Sequence, residues 1–359
     1  MRTELAFSTD DLARTRFAVS PMWEVVTSLR VLAHRAVPAL HRPWAAQVRR
    51  AAELGRDARV GAGTQVGAGT RADRVAEATG PALQRLAALV PAAGHLPDFL
   101  TPVPAGAAPA LAEELAMIAA TPPDLVRADL DILAAERGGR LPAVLEPLHR
   151  DPADRLPHLV ADIEAYWEFA LEPHWTRIRA LLDADVLHRA RQAAGRGSAR
   201  VLDDLHETVH WDGGALRLEQ RHCAVQRLDA GAGLVLVPSV FAWPRVLTRT
   251  LPPDPPQLAY PARGVATLWE SGPVADPAEA LAAVLGRSRA RLLAELDAPA
   301  STTELARRTG LSTAGTSQHL TALRAAGLTS ARRAGHAVLH ARTAVADALL
   351  AVDAAGRTG

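Results

Sequence analysis

Residues 301–342 carry the pattern that most narrows the fold: two short helical stretches joined through a glycine, then two β runs around a tight turn. Ser301-Thr302-Thr303-Glu304 has the form of a capping box, with the glutamate placed to reach back to the cap amide, and it opens a helix over 302–308. Gly310 ends that helix in the left-handed conformation glycine tolerates, and Ser312 is positioned to cap a second helix. On the second helix Thr316, Leu320 and Leu323 recur at i, i+4 and i+7 and are expected to face a core. Thr313, Ser317, Gln318, Thr321 and Arg324 then face outward. Two short helices joined by a glycine-containing turn form a helix-turn-helix. Small hydroxyls and an amide on the outward face suit the major groove of double-stranded DNA, where they approach base edges and phosphates without steric conflict.

The flanking sequence extends the pattern. Runs 328–333 and 337–342, separated by Ala334-Gly335-His336, predict a β-hairpin bearing Arg332, Arg333 and Arg342, a wing suited to flanking phosphates or the minor groove. Upstream, Leu281, Val284, Leu285, Leu292, Leu293 and Leu296 predict one scaffold helix between residues 277 and 296. Residues 287–359 hold ten arginines against five acidic residues, while the whole chain carries a net charge of only +1. The basic part of the chain is therefore the part with the helix-turn-helix pattern. Every basic side chain other than histidine is an arginine, for the sequence has no lysine.

The stretch LSTAGTSQHLTALRAAGLTSARRAGHAVLHAR resembles the recognition helix and wing of winged-helix repressors of the ArsR type. The resemblance is carried by Leu311, Ser312, Ser317, His319, Leu320, Leu323, Ala326, Gly327 and Leu328. Residues 97–102, 237–241 and 260–264 resemble, more loosely, a larger bacterial set in which such a domain follows a long uncharacterised N-terminal region. The resemblance implies a homodimer joined through the first and last helices of the domain, the last over about 343–352. DNA contacts are expected from Ser312, Thr313, Ser317, Gln318, His319, Thr321 and Arg324 on the helix, and from Arg332, Arg333, His336 and Arg342 on the wing. Metal-sensing members of the family use cysteines on the helix that 302–308 occupies here, or His and Asp ligands on the last helix. This chain has no cysteine in the domain and no histidine in 343–353, so no metal and no cofactor are expected.

The remainder reads as a mainly helical front region over 1–200, a β-rich segment over 201–275 and the winged helix-turn-helix over 276–359. The fold class is α+β, mainly α, with a small antiparallel β segment. Ser20-Pro21 is an N-cap followed by proline in the first helical position, and Trp23, Val26, Thr27, Leu29 and Arg30 continue it as an apolar stripe. Further amphipathic runs follow at Leu83, Leu86, Leu89, at Leu111, Leu115, Ile118, and at Leu125, Leu130, Leu133, with prolines between them. Between 208 and 269 the period shortens, and Leu234-Val235-Leu236-Val237 reads as a buried strand. GAGTQVGAGT at 61–70 reads as a flexible loop, because the polar, helix-like residues before it do not supply the buried strand that a phosphate-binding loop follows.

No run of about 18 apolar residues is present, and the first residues lack the apolar core of a signal peptide, so a cytoplasmic protein without a membrane partner is expected. The single cysteine, Cys223, excludes an internal disulfide. The sharpest alternative is His206-Glu207-Thr208-Val209-His210, which fits the H-E-x-x-H pattern of zinc hydrolases, with Glu219 or His222 as a third ligand. Against it, the third-histidine position of the longer pattern falls on Leu216, and the chain turns at Asp212-Gly213-Gly214. The reading adopted is a DNA-binding regulator, a repressor in the first instance, and not an enzyme. A small-molecule effector is expected in the front region, where Trp23, Trp44, Trp167, His174 and Trp175 are candidates to line a pocket. A protein-interaction module without DNA is the remaining alternative.

Overall fold

A computed structural model of the chain describes residues 2–6, 9–61, 82–212, 215–219, 233–269, 277–334 and 337–351. It divides into two compact units, Met1–Trp269 and Glu270–Gly359. The first runs β1 (Arg2–Ala6), α1 (Thr9–Ala13), β2 (Arg16–Phe17), α2 (Pro21–Ala33), α3 (Arg42–Gly61), α4 (Leu83–Leu89), α5 (Leu111–Ala119), α6 (Pro123–Ala135), α7 (Glu146–Arg150), α8 (Pro152–Ala170), α9 (Glu172–Arg196) and α10 (Ser198–Asp203). Strands β3 (Val209–Trp211), β4 (Ala215–Glu219), β5 (Val235–Ser239), β6 (Leu247–Arg249) and β7 (Gln257–Pro261) follow. The chain is mainly helical with small sheets, as its pattern predicts.

Two sheets organise this unit. One is antiparallel, in the order β1-β4-β3. The other has the order β2-β5-β7-β6, with β5 parallel to both β2 and β7 and only β6 antiparallel. The continuous apolar run of β5 accounts for the parallel pairing, since such strands are covered on both faces. Alternate side chains serve opposite layers. Leu234 and Leu236 join Val201, Leu205, Leu216, Leu218 and Tyr260 on one side, while Val235 and Val237 join Trp23 and Ala259 on the other. Just before β5, Gly233 has φ +78°, its N–H donates to Asp11 Oδ1 at 2.8 Å, and a Cβ there would lie 2.8 Å from the Arg14 carbonyl oxygen. A side chain at 233 would therefore break the joint between α1 and the sheet.

Helix α2 follows β2 directly and packs against β5. Ser20 Oγ accepts the Trp23 N–H at 3.1 Å and Pro21 occupies the first turn, as the sequence suggests. The helix is not amphipathic in place, however. Every residue from Pro21 to Leu29 is buried, because one face meets the sheet and the other the helical core containing Trp44, Leu86, Leu130, Leu133 and Tyr166. Its polar side chains are consequently paired inside: Thr27 Oγ1 donates to the Trp23 carbonyl at 2.6 Å and lies 3.0 Å from Ser239 Oγ, and Ser28 Oγ lies 2.8 Å from the Tyr166 hydroxyl.

The second unit comprises α11 (Pro277–Leu285), α12 (Arg287–Ala294), β8 (Ala300–Ser301), α13 (Thr302–Thr309), α14 (Thr313–Ala325), β9 (Thr329–Ala334), β10 (Ala337–Arg342) and α15 (Ala344–Ala351). The single scaffold helix expected over 277–296 is broken at Gly286, whose φ of +86° ends α11 before α12 starts. Leu292, Leu293, Leu296, Leu305, Leu320, Leu323, Leu328 and Ala346 form the core.

Candidate nucleic-acid interface

The helix-turn-helix forms at the expected residues. Ser301 Oγ accepts the Glu304 N–H at 3.3 Å to start α13, Gly310 at φ +70° closes it, and Ser312 Oγ accepts the Gly315 N–H at 3.1 Å to start α14. The reciprocal half of the capping box is not made: the Glu304 carboxylate pairs with Arg308 one turn on. Thr316, Leu320 and Leu323 are buried, as their spacing predicts. Ser312, Thr313, Ser317, Gln318, Thr321 and Arg324 are exposed, and His319 is half-buried. One helix thus turns its hydroxyls, amide and guanidinium to solvent while a leucine pair anchors the opposite face.

Strands β9 and β10 form the predicted antiparallel hairpin, with Arg333 opposite Val338 and Arg332 opposite Leu339. The two-residue strand β8, which carries no periodic signal of its own, pairs with β10 and ties the hairpin to the start of α13. Arg332 and Arg333 are exposed. Arg342 differs from them: Nη1 donates to the Leu293 carbonyl at 3.2 Å and Nε lies 2.8 Å from Asp347, so its side chain joins α12 to α15. His336 lies outside the described residues. His340, on β10, approaches Thr302 Oγ1 at 3.3 Å through Nε2. Burial, then the charge of Arg324, hold its pKa below the ordinary value where the ring joins the wing to α13.

Residues proposed for other chemistry are placed differently. His206 follows α10 in a turn closed by the Val209 N–H donating to its carbonyl at 3.0 Å, whereas His210 sits on β3 opposite Arg217. The two rings therefore do not stand one turn apart on a helix, which the zinc-hydrolase pattern requires. Both nitrogens of His206 are engaged, Nδ1 with Thr208 and Nε2 with the Pro244 carbonyl at 3.1 Å. The third-ligand candidate His222 lies outside the described residues, as do Cys223 and nearly all of the glycine-rich 61–70 segment. Among the described residues no cluster of three or more histidine, cysteine or acidic side chains is arranged to hold a metal.

Of the five aromatic candidates for an effector pocket, Trp23, Trp44 and Trp167 fill core positions, while Trp175 and His174 are half-buried. Trp23 and Trp44 are fully buried and hydrogen-bonded, Nε1 donating at 2.8 Å to Gln257 Oε1 and to the Ala170 carbonyl respectively. Trp167 packs edge-on against Trp175 at 4.9 Å, and His174 against Trp269 at 5.3 Å. Trp23 belongs to the sheet-facing cluster and Trp44 and Trp167 to the helical core, so the set does not converge on one cavity.

Residues 1–266 match the family model described as a family of unknown function (DUF5937). The chain belongs to the DUF5937 family. In this DUF5937 chain, residues 278–330 also match a helix-turn-helix domain, which spans α11 to α14 and the start of the wing. That match makes the DUF5937 chain a DNA-binding transcriptional regulator in kind, and it falls on the residues whose geometry is described above. Searches of curated proteins and of solved structures return no match. Among the described residues, no helix is long and apolar enough to cross a membrane.

Proposed function

We propose that this protein is a sequence-specific transcriptional repressor of the ArsR type that acts as a cytoplasmic homodimer and has no enzymatic activity. Helix α14 enters the major groove and the β9–β10 wing contacts flanking DNA. The observation that carries the reading is the division of α14 into a buried face of Thr316, Leu320 and Leu323 and an exposed face of Ser312, Thr313, Ser317, Gln318, Thr321 and Arg324. Arg332 and Arg333 supply exposed positive charge on the wing for phosphates. The homodimer is supported by α11 and α15, which touch each other and leave Val284, Val345 and Leu349 exposed. The large first unit is assigned to sensing, with a small-molecule effector modulating the affinity for DNA.

The test is a comparison of wild type with Arg332→Ala/Arg333→Ala on one operator duplex across a salt series. Loss of two phosphate contacts lowers affinity on all sequences and reduces the log-log salt slope by about 2. An unchanged slope would remove the wing from the interface.

A further inference from the structure

The sensing unit contains a cavity that the aromatic candidates do not line. Helices α4, α7 and α8 and the turn before α7 enclose a space of about 310 Å³, at the lower end of the roughly 300–1,000 Å³ range of small-molecule sites. Its floor is apolar: Leu89, Val144, Leu145, Leu148 and Leu159. All the ionisable side chains that line it are basic, namely Arg85, Arg155 and His158.

The arrangement of these three residues follows from helix geometry. Arg155, His158 and Leu159 lie at i, i+3 and i+4 on one face of α8. Arg85, on α4, is held by Asp162 of α8, its Nε and Nη2 each 2.6 Å from a carboxylate oxygen. This two-point pairing orients the guanidinium while leaving Nη1 outside the pair. Asp162 is seven residues beyond Arg155, about 10 Å along the helix axis. The two guanidinium groups consequently bracket His158 and Leu159, and an apolar floor sits beneath a basic rim. Among the described residues Arg155 is paired with the neighbouring exposed Asp154, at 3.2 Å, an interaction that solvent weakens.

We propose that this cavity binds a small organic acid, with its carboxylate at the Arg85–His158–Arg155 rim and an aryl or alkyl body on the leucine floor. Charge and shape each select one half of such a ligand. A purely inorganic anion leaves the floor wet, and a neutral hydrophobe leaves the rim unanswered.

The experiment is isothermal titration calorimetry of the full chain, without DNA, using 4-phenylbutyrate and octanoate beside their primary amides. At least one carboxylate is expected to bind with one-to-one stoichiometry at submillimolar concentration, and its amide at least tenfold more weakly. Arg155→Ala should weaken the carboxylate about tenfold. Val144→Phe, which fills the cavity, should abolish binding while leaving the tryptophan-monitored unfolding curve in place. No binding of either carboxylate below millimolar concentration, equal binding of acid and amide, or unchanged binding in both variants would overturn the proposal. Because no DNA is present, failure here leaves the repressor reading standing, and failure of that reading leaves the site standing.

Discussion

Glu24 lies at the start of α2 with none of its surface exposed, and replacing it with glutamine isolates the cost of that burial. Its Oε1 accepts the Val240 N–H at 2.9 Å, while Oε2 has no partner among the described residues. Burial dominates, pushing the carboxyl from 4.5 up to about 8, and the hydrogen bond from the Val240 N–H only partly offsets it. The folded state therefore holds a proton that the unfolded chain releases above pH 4.5. Stability falls as pH rises from 4.5 to 8 by about 1.4 kcal/mol per unit and is level above the folded pKa, on the order of 5 kcal/mol in all. Glu114, pushed up to about 7 chiefly by burial, adds a second decline that ends one unit earlier. Glu24→Gln keeps an acceptor for Val240 and carries no ionisable proton. Urea unfolding followed by tryptophan fluorescence reports this unit alone, since all seven tryptophans lie between residues 23 and 269. Wild type and variant should nearly coincide at pH 5 and separate by several kcal/mol at pH 8, the variant being the more stable. Parallel curves across that range would show that Glu24 is ionised in the folded protein and refute the reasoning.

Two further outcomes follow from the second unit. Leu320→Ala opens a cavity beneath α14 and should cost about 2–5 kcal/mol, seen as a lower-temperature unfolding transition in differential scanning calorimetry of the full chain and as lost DNA binding. Val284→Glu with Leu349→Glu places charge on the exposed apolar face of α11 and α15 and should convert a dimer to a monomer in sedimentation velocity, with little change in melting temperature. A doubly substituted chain that sediments as wild type would remove that face from the dimer contact.

The parts legible in the sequence were those governed by local rules. Caps at Ser301 and Ser312, the turn at Gly310, the inward triad of Thr316, Leu320 and Leu323, and the hairpin around 335 depend on residues a few positions apart. What escaped depends on distant partners. Strand β1 pairs with residues 215–219 and β2 with 235–236, and nothing near either segment signals those neighbours. The apolar stripe of Trp23, Val26 and Leu29 marks one buried face of α2, whereas the burial of Glu24 and Ser28 comes from the sheet and the helical core packing on both sides of it. The leucine period continues across Gly286 as it would in one helix, although the positive φ there splits it in two. Arg342 appears equivalent to Arg332 and Arg333 by charge alone, but it points to Leu293 and Asp347. Tryptophans read as pocket candidates because of their large apolar contact area, yet Trp23 and Trp44 are fully buried in packed core, and the space among α4, α7 and α8 is lined by leucines and basic residues instead.

The most direct test of the central claim is fluorescence anisotropy of the full chain with duplex from its own upstream region, at two salt concentrations, against an unrelated duplex and with Gln318→Ala and Arg324→Ala variants. The account predicts binding at least a thousandfold tighter to the cognate duplex, about 4 kcal/mol, weakened by salt and by both variants. Equal affinity for both duplexes, unaltered by either substitution, would contradict it.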